Sequence, residues 1–390
     1  MNTIILGAGI SGLTTAIFLK LNGFSVSVYE RSKSINTLGA GVVCWPNAMF
    51  VLKKLGLHKK IEKLGSVLTA MHRYNNKNEL LGVIDINTIN LQMNEPSVAI
   101  LRKDLINILY EKASSLNIQF HFNYNVKSIN DDTDLMLANV LFENGQSKTA
   151  DLILGCDGRM NSQARKYVNS ENTAVYSGFS NWIGIANLDE NIDATTVQDF
   201  WGVGKRFGIV PISKNQCYWA AGLVEKNIKK QTSNSQSVNQ KQTLFEMLLS
   251  FPDIVQTVIN HSDENSIKKI FVYDHNPIDI WFKRNVLLMG DSAHAALPTS
   301  GQGACQALED AWVLSELIIN KTSKQNLSDI FQSFTEKRLK KTTGIIQSGR
   351  YLAQSIFNDD PVYCKQRNEQ AKQTDYNKLA IGMANAWQLN

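Results

Sequence analysis

The feature that most constrains this chain is a glycine-rich turn set between a strand and a helix. An apolar strand over residues 3–6 runs directly into the pattern G-x-G-x-x-G at residues 7–12. Residues with helical character follow to position 21, and a second strand over residues 24–29 leads into Glu30. This order of strand, turn, helix and strand predicts a dinucleotide-binding unit of the Rossmann type.

Each position in this unit has a physical task. Gly7 makes the tight turn, Gly9 lets the backbone approach a pyrophosphate, and Gly12 allows the helix to pack closely on the strand. The helix N-terminus offers free N–H groups to the phosphates, and Glu30 can accept hydrogen bonds from ribose hydroxyls. A packing turn without a ligand is the alternative interpretation. The residues predicted to bind the dinucleotide here are Gly7, Gly9, Ser11, Gly12, Glu30 and Arg31.

A second glycine-rich segment lies near the other end of the chain. An apolar strand over residues 285–289 ends in Gly290-Asp291, and a loop then leads to Gly303 and a helix. The Asp291 carboxylate can hold a ribityl hydroxyl of a flavin. The N–H groups at the helix start can face the pyrimidine edge of the isoalloxazine, where reduced flavin carries negative charge. The residues predicted to bind flavin here are Gly290, Asp291, Pro298, Gly301, Gln302, Gly303 and Ala304.

A third segment connects the two. Residues 151–155 form a buried strand that runs into Asp157 and Gly158, followed by Ser162 and Arg165. With these three motifs in this order, the chain resembles the FAD-dependent group A aromatic monooxygenases of the p-hydroxybenzoate hydroxylase fold. The resemblance covers most of the chain. Residues 39–47, 101–105, 181–184, 204–206 and 301–311 look like the branch that contains the bacterial FAD-dependent urate hydroxylases.

The resemblance assigns roles position by position. It implies that Arg102 contacts the FAD phosphates or ribityl chain, that the Val126 backbone meets the adenine, and that Val43 lies along the flavin. It also implies that Asp157 belongs to the FAD site. The substrate contacts implied are Asn181, Arg206 and Tyr218. Only one complete dinucleotide unit is present, which agrees with the group A pattern of NAD(P)H binding transiently without its own domain.

The residues alone leave the substrate assignment open. If residues 212–216 form a five-residue hairpin loop, Tyr218 lies opposite Val210 and shares a sheet face with Arg206. A four-residue loop would instead pair Tyr218 with Pro211 and turn it to the other face. A surface arginine and a tyrosine at the edge of the core are the alternative interpretation.

Two further residues invite a chemical role that we do not assign. His294 has no evident Asp or Ser partner in the sequence, so we interpret it as a structural histidine. Cys305 lies at a helix start, where a thiol pKa can fall, but packing beneath the flavin loop is the interpretation we adopt.

The predicted fold class is α/β, with a Rossmann-like FAD-binding domain interleaved with an antiparallel-sheet substrate domain and followed by C-terminal helices. We assign residues 1–70, 98–172 and 274–310 to the FAD-binding domain, 71–97 and 173–273 to the substrate domain, and 311–390 to the helical region. The polar segment 227–242 predicts a surface loop or a frayed helix start.

Charge and cysteine usage exclude several classes of protein. The 40 Lys and Arg residues against 35 Asp and Glu leave a net charge of +5, scattered along the chain, which disfavours a nucleic-acid footprint. No run of about 18 apolar residues predicts a membrane span. The five cysteines include no C-x-x-C pair, so we expect neither a disulfide framework nor a metal site, and a cytoplasmic location. The oligomeric state is left open.

The sequence therefore predicts an FAD-dependent monooxygenase that uses NAD(P)H and O2. By the resemblance, a C4a-hydroperoxyflavin hydroxylates an electron-rich aromatic or purine-like substrate, with a urate-like anion favoured. Arg206 would hold the anion and Tyr218 would orient it. The alternatives are the same chemistry on a salicylate-like acid or a polycyclic antibiotic, and an FAD-binding redox protein that hydroxylates nothing.

Overall fold

A computed structural model describes residues 1–35, 39–132, 137–227, 240–322 and 325–389. Most of the polar segment 227–242 therefore lies outside the described residues. Up to residue 170 the elements are, in chain order, β1 (Asn2–Leu6), α1 (Ile10–Leu21), β2 (Ser25–Glu30), β3 (Gly41–Cys44), α2 (Pro46–Lys54), α3 (His58–Leu64), β4 (Ser66–Leu68), β5 (Ala70–Asn75), β6 (Leu80–Asp85), α4 (Ile86–Met93), β7 (Ser97–Leu101), α5 (Arg102–Ser115), β8 (Gln119–Phe122), β9 (Val126–Asp132), β10 (Leu137–Phe142), β11 (Ser147–Ala150), β12 (Leu152–Gly155) and α6 (Gln163–Asn169).

The elements after residue 170 are β13 (Val175–Asn187), β14 (Thr196–Trp201), β15 (Lys205–Pro211), β16 (Gln216–Val224), α7 (Gln240–Met247), α8 (Asp253–Asn260), β17 (Lys268–Asp274), β18 (Phe282–Lys283), β19 (Val286–Leu288), α9 (Asp291–His294), α10 (Gly303–Ile319), α11 (Leu327–Ile356), α12 (Pro361–Lys372) and α13 (Tyr376–Trp387). Short 3-10 turns occur at Glu264–Ser266 and Pro298–Ser300.

A six-stranded sheet carries the predicted dinucleotide unit. Its strand order is β18-β19-β12-β1-β2-β8, and β1 lies parallel to both β2 and β12. The residues of β1 after Asn2 are buried, as expected for a parallel strand covered on both faces. The carboxyl ends of β1, β2 and β12 meet at one edge, so the loops that follow these strands lie together.

The second large sheet has seven strands, in the order β17-β13-β16-β15-β14-β5-β6. All neighbouring pairs are antiparallel except β14 and β5, which run parallel. The sequence predicted an antiparallel sheet here, and one pair of strands departs from that prediction. The exception arises because β5 and β14 come from separate stretches of the chain and no hairpin fixes their relative direction. The α/β fold class is confirmed, whereas the domain boundaries remain a prediction.

The register of the β15–β16 hairpin decides which residues share a sheet face. Val210 pairs with Tyr218, as the five-residue loop requires, and Arg206 pairs with Gly222. Gly222 in turn pairs with Asn181 on β13. Because directly paired residues and every second residue along a strand point to the same side, all the predicted substrate residues lie on one face.

The other face of this sheet has its own core. Trp182, Phe207 and Trp219 point there and form a hydrophobic cluster with residues of α7 and α8. The face that carries Tyr218 instead packs on the larger core of the six-stranded sheet. The substrate residues are thereby directed toward the dinucleotide-binding unit.

The C-terminal part of the chain is helical. The 30-residue helix α11 begins at a capping box formed by Asn326 and Asp329. Helix α13 packs on α4 and β6. Over the stretches that the structure describes, no helix combines the length and the apolar character needed to cross a membrane.

Candidate active site

The glycine turn after β1 has two positions that only glycine fits. Gly7 has a φ of 101°, and a Cβ there would overlap the Cys156 carbonyl. A Cβ at Gly12 would overlap the Gly7 carbonyl instead. Both glycines are therefore required by the packing of the chain on itself.

Gly9 differs from these two. Its φ is −80°, which any residue adopts, and a Cβ there would meet nothing within 4 Å. Gly9 caps α1, so the space above it faces the free N–H groups of the helix start. This space and these donors fit a pyrophosphate. Ser11 lies in the first turn of α1, and its hydroxyl donates to Cys156 Sγ at 3.5 Å.

Glu30 braces the glycine turn from the end of β2. Its buried carboxylate accepts hydrogen bonds from Ala8 N (2.8 Å) and Ser32 N (2.9 Å). Each oxygen keeps a second acceptor position, so the predicted contact to ribose hydroxyls is compatible with these bonds. Arg31 follows on the exposed side of the turn.

Two arginines flank the carboxylate predicted to hold the ribityl chain. Asp291 is partly exposed, and Arg159 Nε lies 3.5 Å from its Oδ2. Arg102 packs against Gly39, and burial lowers the pKa of its guanidinium while the Asp291 charge opposes that shift. Sequence reasoning missed Arg159, although its place directly after Asp157-Gly158 was a usable signal.

The loop before α10 fits the flavin ring system. Gly301 has a φ of 64° and follows the 3-10 turn that begins at Pro298. A Cβ at Gly303 would meet nothing within 4 Å, so the backbone at the helix start is open to a ligand. The buried Gln302 amide nitrogen has no hydrogen-bond partner among the described residues.

The remaining predicted FAD residues take different places. The Asp157 carboxylate accepts hydrogen bonds from Ser162 Oγ (2.6 Å) and Gln163 N (2.8 Å), so its side chain caps α6. Burial raises the pKa of Asp157. Val126 begins β9 and Val43 lies on β3, both partly exposed. Ala304, in the first turn of α10, packs against the main core.

His294 has the partner that sequence reasoning did not find. Its Nε2 donates to Asp310 Oδ2 at 2.7 Å, and both side chains are buried. The expectation of no acidic partner was wrong because the fold brings α10, which carries Asp310, against His294. Asp310 also accepts from Gly290 N (2.7 Å) and Arg338 Nε (2.7 Å).

Buried charges extend this contact into a network between α10 and α11. Arg338 also pairs with Glu309, which accepts from Lys341 Nζ at 2.7 Å. Burial alone would raise the pKa of Asp310, but the charges of His294 and Arg338 and the hydrogen bonds from His294 and the Gly290 backbone lower it to about 2. The carboxylate that holds Gly290 is therefore ionised across the physiological range.

Cys305 is a packing residue in the structure. It is fully buried and lies 3.4 Å from the Val43 carbonyl, to which its thiol donates. Burial raises its pKa to about 12, so the thiol stays protonated. All five cysteines are free and buried.

Arg206 is held by a carboxylate that the sequence did not reveal. Its Nε donates to Asp199 Oδ1 at 2.6 Å, and the Arg206 side chain is 26% exposed. Asp199 is buried and also accepts from Trp201 Nε1 at 2.9 Å. Within the described parts of the chain, the two terminal nitrogens of Arg206 make no hydrogen bond. They remain available to an anion.

Tyr218 lies on the sheet face that carries the predicted substrate residues, and it contacts strand β3, which holds Val43. Its buried ring lies against Gly41 on β3, where a Cβ would overlap the ring. Burial raises the pKa of Tyr218, and the nearby Arg206 charge acts against that rise. The phenol therefore stays protonated at neutral pH and can donate a hydrogen bond.

Exposure along the central strands indicates a cleft between sheet and flavin loop. Asn181, Ile183 and Ala220 are partly exposed although they lie in the middle of the sheet. Trp182 and Trp219, which alternate with them, are buried on the other face. The face between Arg206 and β3 is therefore not fully covered by the chain's own side chains.

Known proteins resemble this chain in sequence and in fold. Residues 1–348 match the family described as FAD binding domain. The chain is 27% identical to the aurachin C monooxygenase/isomerase of Stigmatella aurantiaca over 321 residues, 82% of this chain and 80% of that protein. It is 25% identical to the FAD-dependent urate hydroxylase of Mycolicibacterium vanbaalenii over 386 residues, 98% and 95% of the two chains. The crystal structure of Klebsiella pneumoniae HpxO complexed with FAD and uric acid superposes with a TM-score of 0.88 at 23% identity, covering 99% of this chain and 96% of that one.

Proposed function

Because the chain belongs to the FAD binding domain family and is an FAD-dependent monooxygenase, we propose that it hydroxylates a small, electron-rich aromatic or purine-like anion. A urate-like substrate is favoured, with NAD(P)H as the transient reductant and O2 as the oxidant. The similarity to urate hydroxylases along nearly the whole chain supports this choice.

The observation that carries the proposal is the common orientation of Asn181, Arg206 and Tyr218. The strand register turns all three to the face that packs on the flavin side. Tyr218 touches β3, the strand that holds Val43. A ligand between these groups would contact a cation and a phenol on one side and the flavin-binding loop on the other.

The chain's own groups have distinct tasks in this proposal. Arg206 binds the anionic edge of the substrate with its terminal nitrogens, because its Nε is already engaged by Asp199. Tyr218 donates a hydrogen bond that orients the ring, and Asn181 supplies a donor and an acceptor at the far side of Gly222.

The flavin supplies the chemistry that amino acids lack. When bound and reduced, FAD would activate O2 and deliver one oxygen atom to the substrate ring. The α1 and α10 N-termini, Arg102 and Asp291 would hold it. The five free thiols further support a proposed cytoplasmic location.

The test is a substrate panel scored by oxygenated product. Urate, salicylate and tetracycline would each be incubated with the FAD-loaded enzyme, NADH or NADPH, and isotopically labelled O2. We expect labelled oxygen in the urate product. Consumption of NAD(P)H alone is not sufficient, because reduced flavin also reacts with O2 without hydroxylating anything. Labelled product from salicylate or tetracycline but not from urate would overturn the urate-like assignment. No labelled product from any anion would overturn the proposed function.

A further inference from the structure

We infer that Gly208 determines substrate specificity, because its missing side chain leaves room for the substrate ring beside Arg206. This inference rests on the proposed function and concerns the same cleft. Gly208 lies in the middle of β15, and it is buried. Its orientation follows from the strand period, since Arg206 is two residues away and points to the same side.

Two other glycines of the same sheet have a steric reason for lacking a side chain. A Cβ at Gly184 would overlap the indole of Trp219, and a Cβ at Gly222 would overlap the ring of Phe357. The chain itself occupies the space at both positions. Glycine is required there by packing alone.

Gly208 has no such reason. A Cβ there would meet Arg206 Nη2 at 3.8 Å and the Ala220 carbonyl at 3.9 Å, which are ordinary contact distances. Its φ is not positive, so alanine could adopt the same backbone conformation. Glycine in a strand interior is unfavourable relative to alanine, and it often marks a place where a ligand approaches closely.

Room for a Cβ occurs at several glycines and does not by itself indicate a ligand, since Gly382 on α13 also has it. What distinguishes Gly208 is that its room lies beside Arg206 Nη2, on the sheet face that carries the proposed substrate residues.

The neighbours of Gly208 define what would lie over it. Ala220 is its direct partner on β16, and this small residue is partly exposed. Together they form a floor with no side chain longer than a methyl group. Arg206 Nη2 borders this floor. A flat ring that rests on Gly208 and Ala220 would present its edge to the guanidinium, as a planar aromatic or purine anion can.

The experiment compares Gly208→Ala and Gly208→Val with wild type. Dissociation constants would be measured from changes in the flavin absorbance, with urate as the fused two-ring probe and salicylate as the single-ring probe. We expect Gly208→Ala to weaken urate binding about tenfold or more, Gly208→Val to weaken it further, and salicylate to lose less. FAD content and unfolding temperature should stay close to wild type.

Gly382→Ala is the matched control, because a Cβ there likewise overlaps no atom of the chain, meeting nothing within 4 Å, and Gly382 lies on α13, outside the seven-stranded sheet. It should bind both probes as wild type does. Unchanged binding of both probes to Gly208→Ala would overturn the inference and leave the proposed function standing. Loss of FAD or of folding in Gly208→Ala would also overturn it, since the glycine would then be structural. If neither probe perturbs the flavin of the wild-type enzyme, the proposed function and this inference both fail.

Discussion

The Arg206–Asp199 pair shows how a binding residue is prepared by its neighbours. An unpaired arginine on a strand samples many rotamers, and ordering it on ligand binding costs conformational entropy. Asp199 takes the Nε of Arg206 and is itself held by Trp201, so the guanidinium plane is set in advance. The terminal nitrogens then meet a ligand with less entropy to lose.

We therefore expect the positive charge of Arg206 and the bidentate geometry of its guanidinium to contribute separately to catalysis. Arg206→Ala should lower kcat/KM by about 30- to 1,000-fold, or about 2–4 kcal/mol of transition-state stabilisation. Arg206→Lys should recover only part of this loss, because an ammonium cannot bind in bidentate fashion. Asp199→Asn should raise KM about tenfold, or about 1.4 kcal/mol, with a smaller change in kcat. The measurement is steady-state hydroxylation together with FAD occupancy.

FAD occupancy should remain at the wild-type level in all three variants. Lys214→Ala, on the exposed turn of the same hairpin, serves as the control for a lost surface cation. Normal hydroxylation by Arg206→Ala, or release of FAD from it, would contradict the assignment.

Residues with a local signal could be predicted from the sequence, and residues with a remote partner could not. Gly7, Gly9 and Gly12 lie close together in the chain, so their spacing can be read directly from the sequence. Asp199 becomes relevant only through the pairing of β14 with β15, and no sequence spacing reports that register.

At the scale of elements, the contact between α10 and α11 supports the flavin loop from below. Arg338 on α11 bridges Asp310 and Glu309 on α10. Asp310 in turn holds His294 and Gly290, the residue next to Asp291. Two buried carboxylates that share one guanidinium stabilise the fold only while each charge keeps its partner. An unpaired charge in such a site is strongly destabilising.

This network predicts a specific loss of stability in acid. The pKa of Asp310 is about 2 in the folded chain, below its value of about 3.9 when unfolded. Its contribution to the free energy of unfolding, about 2–3 kcal/mol, is therefore fully present above about pH 5 and is lost as the pH falls toward 2. Urea unfolding from about pH 2 to about pH 6, a range that includes both pKa values, measures it.

Asp310→Asn separates this contribution from general acid denaturation. The variant should lose about 3–5 kcal/mol at neutral pH, because Arg338 and His294 lose a charged partner. Its stability should also depend less on pH below about 4. Asp253→Asn, an exposed carboxylate on α8, should leave the wild-type pH dependence unchanged. A wild-type pH profile in the Asp310→Asn variant would contradict the role of this carboxyl.

The elements themselves could be predicted from the sequence better than their pairing could. The periodicity of the β15–β16 hairpin left two loop lengths open, and only the pairing of Val210 with Tyr218 decides between them. The parallel contact of β14 with β5 joins segments more than 100 residues apart, as their bounds show. Apolar alternation identifies a strand and its buried face, but it carries no information about the neighbour.

At the scale of the molecule, the proposed FAD site draws on segments that are distant in sequence. Its predicted residues lie at the turn after β1, the start of α5, the loop after β12 and the loop before α10. The order of motifs predicts this assembly, and the residue assignments stay predictions. The ion pairs Arg159–Asp291 and Arg338–Asp310 each join a residue of a motif to a residue outside the motifs. These pairs could not be predicted from the sequence.

Because these segments come together only in the folded state, FAD should stabilise the whole molecule. A ligand that binds only the native chain adds about 2.7 kcal/mol at a free concentration of 100 times its Kd, and a few degrees in unfolding temperature. Gly9→Val should abolish this shift while leaving the apo protein as stable as wild-type apo protein, since a side chain there enters open space. Gly12→Val should destabilise the apo protein itself, because its side chain would overlap the Gly7 carbonyl. Thermal unfolding with and without FAD distinguishes the two. A full FAD shift in Gly9→Val would show that the pyrophosphate lies elsewhere, and the dinucleotide assignment of the first glycine turn would then be wrong.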